Sequence, residues 1–202
     1  MKRVLFALLL VVAFATSAVG HAALSSVVQL RDPVDGQAYC SGFVINVEKQ
    51  LVATADHCMN TPALPIIDGK PAFEVFHDQT QDYAVLFVPA LDLSRPALKP
   101  VTRSLIYNEP VTLLGFVREE AQAIAAKVWV KELIIRDMDN AWSIGPVVAF
   151  TEPAKGGMSG GPIVDFEGKV VGIVQSGWDE PGVAISVPVP VMLEALKEVW
   201  IP

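Results

Sequence analysis

The sequence predicts an all-β fold, a sandwich or barrel of antiparallel strands. Short apolar or alternating runs recur at even spacing, 15 prolines and 14 glycines punctuate them, and hardly any stretch carries a helical period. At 202 residues the chain is too short for two ordinary domains and long enough for one with a sizeable core. An apolar content of 52% against 18% charged residues excludes disordered, coiled-coil and low-complexity classes.

The first segment reads as targeting and not as fold. Lys2 and Arg3 precede an unbroken run of 12 apolar residues, Val4 to Ala15, and Thr16 and Ser17 then introduce polarity. That is the layout of a secretory signal peptide, with small residues that allow cleavage after Gly20 or after Ala22. The run falls short of the ~20 residues a spanning helix needs. The expected exported chain is therefore residues 23–202, with no stable membrane association once residues 1–22 are removed, in an extracellular or periplasmic location.

Candidate strands follow in order: Val27 to Leu30, Ala38 to Val47, Gln50 to Ala53, Ala72 to Phe76 and Tyr83 to Val88. A second group comprises Val111 to Val117, Ile124 to Ile135, Val147 to Phe150, Ile163 to Phe166, Val170 to Gln175 and Val183 to Val187. Between the groups, the Pro- and charge-bearing stretch Leu91 to Glu109 reads as an interbarrel connection. One amphipathic helix is expected over about 190–200, where Val191, Leu193, Leu196, Val199 and Trp200 share a stripe and Glu194, Lys197 and Glu198 face water.

Charge and cysteine usage narrow the partners. Without Lys2 and Arg3 the 15 basic and 22 acidic residues become 13 and 22, a net charge of −9, which argues against nucleic acid or an anionic membrane as the main partner. Cys40 and Cys58, in an oxidising compartment, default to a disulfide. Closing a ring of that size would stabilise the fold by about 3 kcal/mol. The competing reading is a zinc site that adds His57 and His77, but none of the usual ligand spacings appears. No metal or cofactor is expected.

The segment Lys155-Gly156-Gly157-Met158-Ser159-Gly160-Gly161-Pro162 sets a serine among glycines between two apolar strands. Such a run lets the backbone bend tightly and aim consecutive N–H groups at one point. It also satisfies G-x-S-x-G, yet the α/β-hydrolase order of Ser, acid, His cannot be completed, because His21, His57 and His77 all precede Ser159. The subtilisin order would need Asp32, Asp35 or Asp56 as the acid, with no supporting motif. The order left is His, Asp, Ser.

Two further segments fill that order. Leu51-Val52-Ala53-Thr54-Ala55-Asp56-His57-Cys58 ends an apolar strand in a histidine beside a cysteine, with Cys40-Ser41-Gly42-Phe43-Val44 on the strand before it; Gln81-Asp82-Tyr83-Ala84-Val85-Leu86-Phe87 sets an acid at the mouth of a strong strand. Together these runs resemble the chymotrypsin/trypsin family of serine proteases, whose hallmarks are C-x-G near T-A-A-H-C, D-I-A-L-L and G-D-S-G-G-P. The likeness extends from about Ala38 to the C-terminus. It implies two six-stranded antiparallel β-barrels, over about 25–105 and 106–188, and a C-terminal α-helix.

Carried over by position, the resemblance implies Ser159 as nucleophile, His57 as general base and Asp82 as the group that orients it. The same likeness gives the N–H groups of Gly157 and Ser159 as oxyanion hole and implies a Cys40–Cys58 disulfide bracing the loop of His57. A polypeptide substrate would lie along Gln175, Ser176 and Gly177, adding itself to a sheet edge. His21 and His77, the latter among polar loop residues, stay outside this set, and Asp56 adjoins the base too closely to reach its far nitrogen.

The departures are informative. Met158 stands where digestive proteases carry an aspartate that pairs with a new N-terminus, and no basic residue followed by I-V-G-G occurs near the mature start. Activity independent of a new α-amino group is expected, as in bacterial HtrA-type proteases, which the chain resembles in the short gap from His57 to Asp82. A few residues added to the mature N-terminus would then leave activity intact. Pro153 occupies the position of trypsin's specificity aspartate, and Val174 that of the histidine of glutamyl endopeptidases. With Ala154, Gly177 and Gly182 as further pocket walls, an uncharged, apolar residue before the scissile bond is expected. Gln175 replaces the serine that often supports the triad aspartate. The expected function is a secreted, monomeric serine endopeptidase. The alternatives are a weak or inactive homologue acting as a peptide- or protein-binding module, and an esterase on the same fold.

Overall fold

The computed structural model describes residues 23–101, 103, 105–118, 122–136, 145–150, 154–177 and 184–188. Residues 1–22, the stretch 190–200 where a helix is expected, Pro153 and Gly182 lie outside these residues. The strands are β1 (Val27–Arg31), β2 (Ala38–Asn46), β3 (Leu51–Thr54), β4 (Ile66–Ile67), β5 (Lys70–Pro71), β6 (Phe73–Asp78) and β7 (Tyr83–Phe87), then β8 (Pro110–Phe116), β9 (Ala123–Arg136), β10 (Gly145–Phe150), β11 (Pro162–Val164), β12 (Val170–Gly177) and β13 (Ala184–Pro188). One 3₁₀ turn, Asp56–Met59, interrupts them.

The fold is all-β in two halves. The first is a seven-stranded sheet in the order β5-β4-β1-β2-β3-β7-β6, and the second is a closed barrel, β10-β13-β12-β11-β8-β9. The first half exceeds the expected six strands because Ile66–Ile67 and Lys70–Pro71 form a small hairpin. Its turn, Asp68-Gly69, has both residues at positive φ (50° and 75°), the conformation that an Asp-Gly dipeptide favours between paired strands. The strand expected to reach Phe166 stops at Val164. There Asp165 turns the chain by accepting from the N–H groups of Glu167 (2.9 Å) and Lys169 (3.0 Å), and Phe166 is left exposed.

Alternation explains why β1, β2, β3 and β7 are apolar on both faces. Val28, Leu30, Val44, Val52 and Leu86 point into the first half's own core. Val27, Phe43, Ala53 and Val85, one residue out of step, meet Leu114, Val164, Val170 and Ile173 of the second half. A third cluster, with Val111, Leu113, Val128, Met158 and Ile163, fills the second barrel. The two halves therefore share an apolar interface that brings the loops at its rim together.

The connection between the halves is pinned to both. Leu98 N–H donates to Val44 C=O (2.9 Å), Val170 N–H to Lys99 C=O (2.9 Å) and Val101 N–H to Val170 C=O (3.0 Å). Arg103 donates to both carboxylate oxygens of Glu109 and to Asp165 Oδ2 (3.2 Å). The Arg103 guanidinium holds the Glu109 carboxyl below the usual carboxylate range, against a smaller penalty from burial. A depressed folded value means that the stabilisation is present above the unfolded value, near 4.5, and is lost as pH falls through the folded one. With the Arg103 side chain 39% exposed, the contribution is about 1 kcal/mol or less. Thermal melts should give wild type a small advantage over Glu109→Gln at pH 7 that vanishes below the ordinary glutamate range.

Candidate active site

His57, Asp82 and Ser159 come from three loops at the interface of the halves. β3 delivers the chain into the 3₁₀ turn that carries His57, and the next residue, Cys58, is joined by a disulfide to Cys40 on β2. The sulfurs are thereby engaged with each other and are not thiolate ligands beside His57. Asp82 immediately precedes β7 and is 1% exposed. Its φ of 50° lies in the left-handed region, sparsely populated by side chains other than Gly, Asn and Asp, and found where a site demands it.

Asp82 grips His57 twice. Oδ1 accepts from the His57 backbone N–H at 2.8 Å, and the ring Nδ1 lies 3.0 Å from Oδ1 and 2.9 Å from Oδ2. A carboxylate only accepts, so when Asp82 is ionised the donor to it is Nδ1–H, and a neutral ring then carries its lone pair on Nε2. His57 is 23% exposed, so the ring edge reaches solvent while its partner is sealed.

Ser159 is held by the other half of the same interface. Its C=O accepts from Ser41 N–H (2.8 Å), and the Ser41 hydroxyl donates to Gly157 C=O (2.7 Å) while accepting from Phe116 N–H (2.8 Å). Ser41 is fully buried, and its own C=O accepts from Thr54 Oγ1 at 2.7 Å. His57 and Ser159 line one cleft of about 610 Å³, together with Gly156, Gly157 and Arg118.

Residues 40–173, two thirds of the chain, match the family of trypsin-like peptidase domains. The chain belongs to this family. Its enzyme class is accordingly serine-type endopeptidase. No curated protein is significantly similar in sequence. Among solved structures, the Rv3671c protease in its inactive form is 24% identical with a TM-score of 0.75, over 94% of this chain and 96% of that one. The HtrA-type protease AlgW, solved with a decapeptide, is 16% identical with a TM-score of 0.76, over 91% of this chain and 67% of its own. A serine endoprotease from Yersinia pestis is 18% identical with a TM-score of 0.73, over 91% and 66%. These likenesses confirm the double-barrel fold.

In this peptidase domain the backbone of the serine loop is oriented by its carbonyls. Gly156 C=O accepts from Arg118 N–H (2.9 Å) and Met158 C=O from Gly161 N–H (2.9 Å). Across a trans peptide the C=O and the following N–H point oppositely, so Gly157 N–H is aimed away from Arg118 and Ser159 N–H away from Gly161. Gly157 has φ of 97°, and a Cβ there would stand 2.8 Å from Arg118 N, so only glycine fits.

Of the expected substrate-binding residues, Ala154 packs partly buried against the second barrel's apolar cluster and Gln175 is buried. Ser176 and Gly177 pair with Ile185 and Ala184 of β13, whereas β11 pairs with β12 only as far as Ile173. Met158, 1% exposed, lies in the apolar interior of the second barrel.

Three contributions escaped the sequence reading. Ser41 links the two halves under the serine loop. The cleft also extends over Asp32, Asp35, Tyr39, Asn60 and Thr61 of the first half, which flank the cysteine motif but carry no pattern of their own. His77, expected in a loop, lies on β6, with its Nδ1 3.0 Å from Asp56 Oδ1. Asp56 thus faces His77 and not the ring of its neighbour.

Proposed function

We propose that this domain hydrolyses peptide bonds through a Ser159–His57–Asp82 triad and an acyl-enzyme. The observation that carries this reading is the His57–Asp82 pair, whose histidine lines one cleft with Ser159. His57 Nε2 takes the Ser159 hydroxyl proton as Oγ attacks the scissile carbonyl, and the resulting imidazolium is stabilised by buried Asp82. The N–H groups of Gly157 and Ser159 receive the oxyanion, and His57 then gives its proton to the departing amine, leaving the acyl group on Ser159. Water repeats the sequence to release the acid.

Substrate is a polypeptide running antiparallel along Gln175 to Gly177, a stretch that β11 leaves uncovered among the described residues. The apolar setting of Ala154 supports an uncharged, apolar residue before the scissile bond. Burial of Met158 in apolar surroundings supports activity that needs no new α-amino group, since it offers an ammonium no counter-charge. The Cys40–Cys58 disulfide, together with the signal-like first 22 residues, supports export of a protease unit spanning 23–202 to an extracellular or periplasmic location. Profiling a peptide library with wild type beside Ser159→Ala tests both parts. Cleavage after apolar residues by wild type alone is expected. Dominance of Arg or Glu at that position would refute the specificity, and equal cleavage by the variant would refute the triad.

A further inference from the structure

The 3₁₀ turn presents three consecutive residues to three different places. Asp56 meets His77 on β6, His57 meets Asp82 at the mouth of β7, and Cys58 is bonded to Cys40 on β2. The first two contacts are reciprocal, since the turn supplies Asp then His while the β6–β7 hairpin supplies His then Asp. Asp56 is 6% exposed, so its carboxylate depends on a partner inside the protein; the His77 ring is 45% exposed, its Nδ1 3.0 Å from Asp56 Oδ1 and its Nε2 3.9 Å from Glu74 Oε1.

The hairpin end of this contact leads directly to Asp82. His77 pairs with Ala84 across β6 and β7. Its neighbour Asp78 caps the connecting turn, accepting from Thr80 N–H (2.9 Å), Thr80 Oγ1 (2.7 Å) and Gln81 N–H (3.2 Å). Asp82 follows at once in its left-handed conformation. A shift of the 3₁₀ turn relative to this hairpin would change the His57–Asp82 distance.

We propose that His77 is a positioning residue for catalysis, acting through Asp56 to lock the 3₁₀ turn of His57 onto the hairpin of Asp82. The proposal rests on the reading of His57 and Asp82 as base and orienting acid. It needs the Nδ1 side of the His77 ring and not the Nε2 side.

Two polar replacements separate these sides, because the Asn amide nitrogen overlays Nδ1 and the Gln amide nitrogen overlays Nε2. His77→Gln is expected to lower kcat about 10- to 100-fold with KM within twofold of wild type, the scale of a misplaced catalytic group. It should also displace or broaden the downfield proton signal of His57 Nδ1–H. His77→Asn should keep kcat within threefold and retain that signal. Asp56→Ala, which removes the acceptor for His77 Nδ1, gives a second reading should His77→Gln not fold, with a similar fall in kcat expected. Unchanged kcat in His77→Gln or in Asp56→Ala, equal losses in both His77 variants, or a change confined to KM would each overturn the proposal. An Asp82→Asn control without effect would instead bring down the triad reading itself.

Discussion

Replacing Asp82 with Asn is expected to cut kcat by about 10⁴-fold with little change in KM, the scale of loss when the acid of a Ser-His-Asp triad becomes an amide. The carboxylate accepts from both the His57 backbone N–H and the ring Nδ1–H. An amide oxygen still serves the first, but the amide NH₂ presents a donor to the ring and favours the tautomer with its proton on Nε2, where the nucleophile's proton must arrive. Asn tolerates the left-handed backbone that Asp82 adopts, so the fold should survive. Steady-state kinetics on a peptide substrate, with circular dichroism as control, checks this. A loss below tenfold in a folded variant would contradict it.

Gly160→Ala should damage the serine loop severely. An added Cβ would stand 2.2 Å from both Ser41 O and Thr54 Oγ1 and 2.9 Å from Ala55 N, at a backbone φ of 81°. The left-handed backbone costs an L residue about 1–2 kcal/mol and overpacking adds about 1–3 kcal/mol, together about 2–5 kcal/mol. For a domain of this size that is a fall in Tm of about 4–20 °C. Activity should fall further than stability, because relief of the clash must move Ser41, which bonds both Gly157 C=O and Ser159 C=O. Thermal unfolding and kcat on the same preparation measure both, and an unchanged Tm would contradict the packing argument.

Most strands were legible because their signal is local. β7 is an unbroken apolar run and β3 is apolar up to Thr54, each buried on one face by its own core and on the other by the second half. The β4–β5 hairpin was missed because two-residue strands carry no period, although its Asp-Gly turn was visible in the sequence. The His, Asp and Ser loops could be placed because each adjoins a strand and carries a recognisable motif, even with Met158 in place of the family's aspartate. Ser41, Asp56 and His77 could not, because their roles depend on contacts between segments far apart in the chain: Ser41 meets the serine loop across the interface, and Asp56 meets His77 within the first half. His77 in particular opens a polar run, His77 to Asp82, just past the expected strand end at Phe76, and it joins β6 only through its pairing with β7.

The central claim is that Ser159 is a nucleophile activated by His57. Treatment with a biotinylated aryl organophosphonate, followed by mass spectrometry of the digested protein, tests it most directly. One adduct per chain on Ser159 is predicted, lost in Ser159→Ala and slowed by orders of magnitude in His57→Ala. Labelling at another residue, or labelling of Ser159 at the same rate without His57, would contradict the account.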